Sequence, residues 1–430
     1  MPVDISDVVR LIGAQEAWRR TQTINLIASE NAVSRAVRDV QNSDFMGRYA
    51  EGHPNEGDRV NRYYQGTAKI DEVERMAREE MKRLFRCRQA DVRPISGNAA
   101  NTAIALGYLR GGDPIIVNST DAGGHISHNT IGTFGRRIQT RGKTLTPGRS
   151  NFIPLHFFPL TEDRYHTDVQ KGIDLIEQVS PRMVILGRSL FLFPEPVRGL
   201  SEVCRAKGIP ILYDGAHVLG LIAGGQFQDP LREGATYLTA STHKTFPGPQ
   251  RGVILADLEG EGEQTYWPPV DRGVFPGSSS NHHLHTLPAL VVAAREMQAH
   301  GRAYAAQTVA NAQALGRALD EQGIPAQARA FGYTKSHQIA VDVSAFGGGV
   351  EVARRLEQSD IIVNYNMLPG DRDPRNPSGL RIGGQEMTRF GMGEAEMGQI
   401  AEFMAAAIKG KNVKAEVNRF RGRYVEMQYV

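Results

Sequence analysis

Ile209-Pro210-Ile211-Leu212-Tyr213-Asp214-Gly215-Ala216-His217 is the stretch that decides the fold. Its apolar run is short and continuous rather than alternating, as expected of a strand buried on both faces. An acid then ends the run, at the strand end where open α/β sheets bind ligands. Runs of the same kind recur at 115–117, 152–158, 183–186, 237–239 and 253–255, with helical stretches between them. This alternation predicts an α/β fold with a mostly parallel sheet.

The 237–239 run leads into Ser241-Thr242-His243-Lys244-Thr245 and then Phe246-Pro247-Gly248-Pro249-Gln250-Arg251-Gly252, which puts Lys244 30 residues beyond Asp214. A lysine between small hydroxyl residues and a rigid Pro/Gly loop is poorly explained as solvated surface, and a buried amine can serve as a Schiff-base nucleophile. Alone, Asp214 also reads as a helix cap and Lys244 as a structural residue. Together they fit pyridoxal 5′-phosphate, with the carboxylate at the pyridine nitrogen and the lysine forming the imine. Ser96-Gly97-Asn98-Ala99-Ala100-Asn101 precedes a helical stretch and suits a phosphate at a helix N-terminus, or simply an ordinary helix start. Asp121-Ala122-Gly123-Gly124-His125 follows the 115–117 run and offers an imidazole to an aromatic ring, or a loop histidine without a role. In Ser378-Gly379-Leu380-Arg381-Ile382-Gly383-Gly384 the guanidinium suits a substrate carboxylate or an internal ion pair.

Composition narrows the classes. With 430 residues, the chain has room for two or three domains of about 150 residues each. A hydrophobic fraction of 40% excludes intrinsic disorder. The 46 glycines follow no G-X-Y period, so they imply tight turns or backbone close to a ligand. Fifty Lys and Arg against 47 Asp and Glu leave a net charge of +3, which implies no nucleic-acid surface. The basic residues between Lys409 and Arg423 are interrupted by acidic and apolar ones and read as a solvated tail or terminal helix. Cys87 and Cys204 form no metal-ligand spacing, so structural thiols in a reducing, cytoplasmic setting and no metal are expected. No apolar run approaches the length of a membrane span, and the polar start does not resemble a signal peptide.

Along the chain, residues 4–21 carry apolar positions at mixed helical spacing and predict an arm helix that packs on something else. Residues 71–86 predict an amphipathic helix with Glu and Arg on its outer face. From about 284 an Ala-rich helical stretch runs through Leu319, followed by strand candidates at 337–343 and 361–364 and a helix at 393–408. The expected organisation is an N-terminal arm at 1–25, a large cofactor domain at 26–283 and a small α+β domain at 284–430 that includes the long helix.

Taken in order, these segments resemble the serine hydroxymethyltransferase family, pyridoxal-phosphate enzymes of the aspartate-aminotransferase fold (fold type I). The resemblance rests on Leu26-Ile27-Ala28-Ser29-Glu30-Asn31, Tyr49-Ala50-Glu51-Gly52, Arg62-Tyr63-Tyr64, Ser96-Gly97, Gly123-Gly124-His125, Asp214-Gly215-Ala216-His217, Thr242-His243-Lys244-Thr245 and Arg381-Ile382-Gly383, and covers about 22–405. It implies a catalytic set of Lys244, Glu51, His125, Asp214, Tyr49 and Thr242. Cofactor contacts are implied for Ser96, Gly97, Asn98, His125, Ser189, Asp214, His217, Ser241 and Lys244, with Ser280 and Asn281 reaching the partner's phosphate. Substrate contacts are implied for Ser29, Tyr49, Glu51, Tyr63, Tyr64, Asn366 and Arg381, with tetrahydrofolate as co-substrate. Glu51 and Tyr49 would be delivered across a subunit interface, which implies a homodimer.

The chain departs from the family pattern at three places. Gln250 stands where the family has an arginine, so an active-site guanidinium is lost unless Arg251 swings in. Ser280-Asn281 replaces a Gly-Gly pair, and Asn55 to Asn61 lengthen a loop. The Pro-Gly-Pro-Gln loop and the Ser-Asn segment look like threonine transaldolases. The expected activity is hydroxymethyl transfer between serine or α-methylserine and tetrahydrofolate. A folate-independent aldolase or transaldolase, an aminotransferase and a non-catalytic paralogue stay open as alternatives.

Overall fold

The structure, a computed structural model, describes residues 4–57, 59–130, 132–135 and 153–430. In chain order the strands are β1 (Ile24–Asn25), β2 (Gln89–Asp91), β3 (Ile115–Val117), β4 (Leu155–Phe157), β5 (Met183–Leu186), β6 (Ile211–Asp214), β7 (Tyr237–Ser241), β8 (Gly252–Ala256), β9 (Gln338–Asp342), β10 (Ile361–Ile362), β11 (Asn364–Asn366) and β12 (Gly379–Gly383). The chain forms two compact units, Asn31–Ala305 and the segment ending at Glu30 together with Ala306–Val430.

The larger unit is built on a seven-stranded sheet in the order β2-β8-β7-β6-β5-β3-β4. The strands from β4 across to β7 pair in parallel, whereas β8 runs antiparallel to both β7 and β2. The expected mostly parallel sheet is thus present, with two antiparallel edge pairings that the apolar runs did not signal. All residues of β5, β6, β7 and β8 are buried, which explains their unalternating sequences. The expected strand at 152–158 is the shorter β4, and Phe152 lies outside the described residues. Cys87 and Cys204 are buried free thiols, and burial pushes both up to about 12, so neither is a reactive thiolate.

The amphipathic helix expected at 71–86 spans Ala68–Phe85, with Ile70, Ala77, Met81 and Phe85 inward. Asp71 and Glu74 are buried on that same face, a departure from the expected charged outer face. The cause is Arg62, a buried guanidinium from the preceding loop that pairs with both carboxylates.

In the smaller unit, β11-β12-β9 form an antiparallel sheet and β1 pairs in parallel with β10, Ile24 opposite Ile361. The expected strand at 361–364 is divided between β10 and β11. The long helix Thr286–Glu321 contributes to both units, and Glu394–Ile408 packs against Gly348–Gln358 in the smaller one. Asn25 Nδ2 bridges the carboxylates of Glu30 and Glu386, at 2.9 Å to each. Burial, aided by Glu30 and opposed by Asn25 and Arg19, raises the Glu386 carboxyl to about 7.

Because the folded value exceeds the unfolded one, the folded state keeps a proton that the unfolded chain has released, and stability falls as pH rises from about 4.5 to about 7. Glu386→Gln should flatten that fall and gain on the order of 1–3 kcal/mol at pH 8, read from urea unfolding at several pH values.

Candidate active site

The strand ends of the larger sheet converge on Asp214, the last residue of β6, which is 5% exposed. Its Oδ2 accepts from Asn101 Nδ2 at 2.8 Å and lies 3.0 Å from His128 Nε2, while Oδ1 accepts from the Ala216 N–H at 3.0 Å. Burial opposes the charge, but the hydrogen bond and charge of His128, the charge of His125 and the Asn101 amide outweigh it. The carboxyl is therefore held well below its usual range. Three of the roughly four acceptor positions of a carboxylate are filled this way, which leaves room for one further N–H. Asn101 is itself oriented by Thr239 Oγ1, which donates to its Oδ1 at 2.7 Å. Asp214, His125 and His128 bring ligand atoms within 4.8 Å of one another, a spacing that also suits a cation. The direct His128–Asp214 contact accounts for it without one.

Lys244 follows β7 and is buried, with Nζ 3.2 Å from His217 Nε2. The loop around it is fixed from both sides. Thr242 Oγ1 donates to the carbonyls of Pro249 at 2.7 Å and Arg251 at 3.1 Å, and Asn31 Nδ2 donates to the Lys244 carbonyl at 2.7 Å. Thr242 thus shapes the turn, with both acceptors on the backbone. Burial and the neighbouring Lys244 charge bring His243 down to about 4, so it is neutral at physiological pH.

Beside β7, the helix Gly97–Tyr108 begins at Ser96, whose Oγ accepts from the Ala99 N–H. A side chain at Gly97 would meet Ser241 Oγ at 2.4 Å, so this close approach requires glycine. Asn98, the next residue, is exposed. The result is a helix N-terminus with open backbone donors beside a serine, suited to a phosphate dianion. His125 follows β3, with Nδ1 2.7 Å from Ser127 Oγ, and the Ser189 N–H donates to the Gly123 carbonyl at 2.7 Å. Buried Arg188 ties these two loops together through the Ala122 carbonyl, at 2.5 Å, and Glu195.

A second group in the same unit comprises Tyr49, Glu51 and Tyr64. The Tyr49 hydroxyl donates to Glu51 Oε1 at 3.2 Å, and the Tyr49 and Tyr64 rings lie 4.7 Å apart. Tyr63, at 85% exposed, projects outward. Asn281 spends its side chain on this loop, accepting from the Ala50 N–H at 3.1 Å and donating to the Arg48 carbonyl at 2.8 Å, while Ser280 is exposed. Gln250 is exposed. Arg251 does not swing in for the lost guanidinium. It is fully buried, with its nitrogens held by Val92, His283, Thr286 and His282.

The smaller unit holds Ser29, Asn366 and Arg381. Arg381 is on β12 opposite Asn364 of β11, whose Oδ1 lies 3.3 Å from Nη2, and Asn366 pairs with Gly379. Burial lowers the Arg381 guanidinium to about 10, which leaves it charged near neutrality. Ser29 lies in a segment fastened to the end of β12. The Gly383 N–H donates to the Leu26 carbonyl at 2.8 Å, and Gln385 Nε2 donates to the carbonyls of Ile27 at 2.8 Å and Glu30 at 2.6 Å. Glycine is required at 383, because a side chain there would meet Ala28 Cα at 2.7 Å.

An ionised buried acid with one acceptor position left, a buried amine and a glycine-lined helix N-terminus together fit the pyridinium, aldehyde and phosphate of pyridoxal 5′-phosphate. The fold and site thereby define a fold-type I pyridoxal-phosphate enzyme. Comparison with known proteins agrees. The model of the family described as serine hydroxymethyltransferase matches residues 3–404. Proteins named serine hydroxymethyltransferase are 44% identical in Pyrobaculum arsenaticum and 45% identical in Saccharolobus islandicus, each match covering 100% of this chain and 95% of the relative. The crystal structure of L-threonine transaldolase from Pseudomonas fluorescens in its internal aldimine state is similar with a TM-score of 0.86 at 26% identity, over 99% of this chain and 93% of that one. The chain belongs to the serine hydroxymethyltransferase family.

His128 and Asn101 were not singled out from sequence, although one lies three residues after His125 and the other ends the Ser96–Asn101 motif. His128→Leu removes a charge-assisted contact from Asp214. It should weaken pyridoxal-phosphate binding by about tenfold or more, measured by visible absorbance titration of the apoprotein.

Proposed function

We propose that this pyridoxal-phosphate-dependent hydroxymethyltransferase makes and breaks the Cα–Cβ bond of a serine-type β-hydroxy-α-amino acid, with tetrahydrofolate exchanging the one-carbon unit. The observation that carries the reading is the triply hydrogen-bonded, ionised Asp214 on the strand beside the one that delivers buried Lys244. When bound, the cofactor supplies an electron sink for the pair left at Cα. Asp214 would keep the ring nitrogen protonated, and Lys244 would hold the aldehyde carbon. Ser96, Gly97, Asn98 and Ser241 would hold the phosphate, with His125, Ser189 and His217 around the ring. Thr242 would keep Lys244 in place through the turn it fastens.

Arg381 supplies a charged fork for the amino acid's carboxylate, assisted by Ser29, and such a fork fixes which bond at Cα is aligned for cleavage. Glu51, held by the Tyr49 hydroxyl, would take the proton from the β-hydroxyl as the aldehyde leaves and return it in synthesis. Tyr63, Tyr64 and Asn366 would contact the folate.

The same reading includes a cytoplasmic homodimer in which Tyr49 and Glu51 enter the partner's site and Ser280 and Asn281 approach the partner's phosphate. Supporting it, the helix Ile5–Ala17 buries none of its residues, and Ile5, Val9, Leu11 and Ile12 are all at least 59% exposed. An apolar face of this kind needs a partner surface. Among the described residues no helix is long and apolar enough to cross a membrane.

A folate-independent transaldolase reading is favoured by the resemblance to the Pseudomonas enzyme and by exposed Gln250 in place of an arginine. Titration of the holoenzyme separates the two. With glycine present, tetrahydrofolate should deepen a long-wavelength absorption band. A band that ignores folate and responds to added aldehydes would overturn the hydroxymethyltransferase reading. Lys244→Ala should abolish the resting visible band and lower turnover by about a thousandfold or more, as expected for a lost covalent anchor.

A further inference from the structure

Away from the cofactor cluster, buried charge is concentrated around Arg62. This guanidinium is 2% exposed, with Nε 2.5 Å from Asp71 Oδ1 and Nη2 2.7 Å from Glu74 Oε2. Its remaining nitrogen, Nη1, faces three successive carbonyls, Ala50 at 2.5 Å, Glu51 at 3.2 Å and Gly52 at 3.5 Å. One buried cation therefore grips the backbone that presents Glu51. The far end of the loop is pinned separately, since His53 Nε2 lies 2.6 Å from Asp271 Oδ1, which also pairs with Arg93 at 2.5 Å.

The Glu74 oxygen that meets Arg62, Oε2, also leads towards the lysine loop. His282 is fully buried, with Nε2 3.3 Å from Glu74 Oε2 and Nδ1 2.6 Å from Arg251 Nη2. An arginine only donates, so Nδ1 is the acceptor and the ring proton is on Nε2, facing the carboxylate. Arg251 is anchored in turn by the Val92 and His283 carbonyls, at 2.5 and 3.0 Å. Its own carbonyl accepts from both the N–H and the Oγ1 of Thr242, two residues before Lys244.

We propose that Arg251, His282, Glu74 and Arg62 form a positioning relay that runs from the Lys244 turn to the carbonyls of residues 50–52 and sets where Glu51 stands. A buried ion cluster is a poor device for stability alone, because desolvation costs several kcal/mol per ion and a well-packed apolar core does as well. What it supplies is one geometry. Arg62 can satisfy Asp71, Glu74 and the loop carbonyls together in a single register, and the His282 ring edge packs against Oε2, the same Glu74 oxygen that Arg62 Nη2 contacts, so that oxygen is held between the two.

The inference rests on the reading of Glu51 as the proton-moving carboxyl, and a double-mutant cycle on the holoenzyme tests the two separately. Glu51→Gln should lower kcat for β-hydroxy-amino-acid cleavage about 100-fold or more. Glu74→Gln and His282→Asn should each lower kcat about tenfold, with KM for the amino acid and the cofactor absorbance unchanged, and add less than about twofold in the Glu51→Gln background. A full tenfold loss on top of Glu51→Gln, an unchanged kcat in the single variants, or a lost cofactor band would overturn the relay and leave the Glu51 assignment standing. A Glu51→Gln enzyme with undiminished kcat would overturn that assignment and the relay with it. If Glu74→Gln does not fold, His282→Asn carries the test, because it keeps an acceptor for Arg251 and the Glu74–Arg62 pair.

Discussion

An ionised carboxylate sealed from water is the constraint on which the larger unit depends. Asp214 pays for its burial only if cationic and N–H donors come to it from several directions, and each donor belongs to a different segment. His128 comes from the loop after β3, Asn101 from the helix that starts at Gly97, and the Ala216 N–H from its own strand's turn. Thr239 on β7 then orients Asn101. Moving any of these elements would strand a charge in a medium that cannot solvate it. The strand order, the helix start and the loop after β3 are tied to one another through that single group.

The same principle, used twice, separates two kinds of work. Around Asp214 the compensation is incomplete by one acceptor position, and an incomplete site can take a ligand. Around Arg62 all three guanidinium nitrogens are taken up by Asp71, Glu74 and the carbonyls of residues 50–52, and the result is a rigid mounting for a loop. Arg251 shows how such a mounting absorbs residues that look catalytic in sequence. It follows the lysine loop closely, yet its nitrogens are committed to backbone carbonyls, a threonine and an imidazole.

Much of the sheet was readable because β5 and β6 are buried on both faces and carry unbroken apolar runs. β2 was not readable, since Gln89-Ala90-Asp91 has no such run. It forms a strand because β8 offers an antiparallel edge and because Arg93 and the Leu258 backbone satisfy its polar side chains. Asp214 and Lys244 could be read because they end or closely follow the readable strands β6 and β7, and Ser96 and His125 because they stand in glycine-bearing motifs. His128, Asp71 and Glu74 could not, because the partners that justify their burial lie elsewhere in the chain. Helical spacing puts Glu74 on the face of Ile70, Ala77 and Met81, but an acid on an apolar face reads as solvated until its partner is known, and that partner, Arg62, lies outside the helix.

The parallel pair formed by β1 and β10 has a kinetic consequence. Ile24 is made well before its neighbour Ile361, with the whole of the larger unit between them. At ordinary rates of chain elongation that interval is roughly 20–70 s. Asn31–Ala305 is complete with only about a sixth of that interval left. For that time the apolar segment around β1 has no strand to pair with, which leaves it open to premature association and to capture by chaperones.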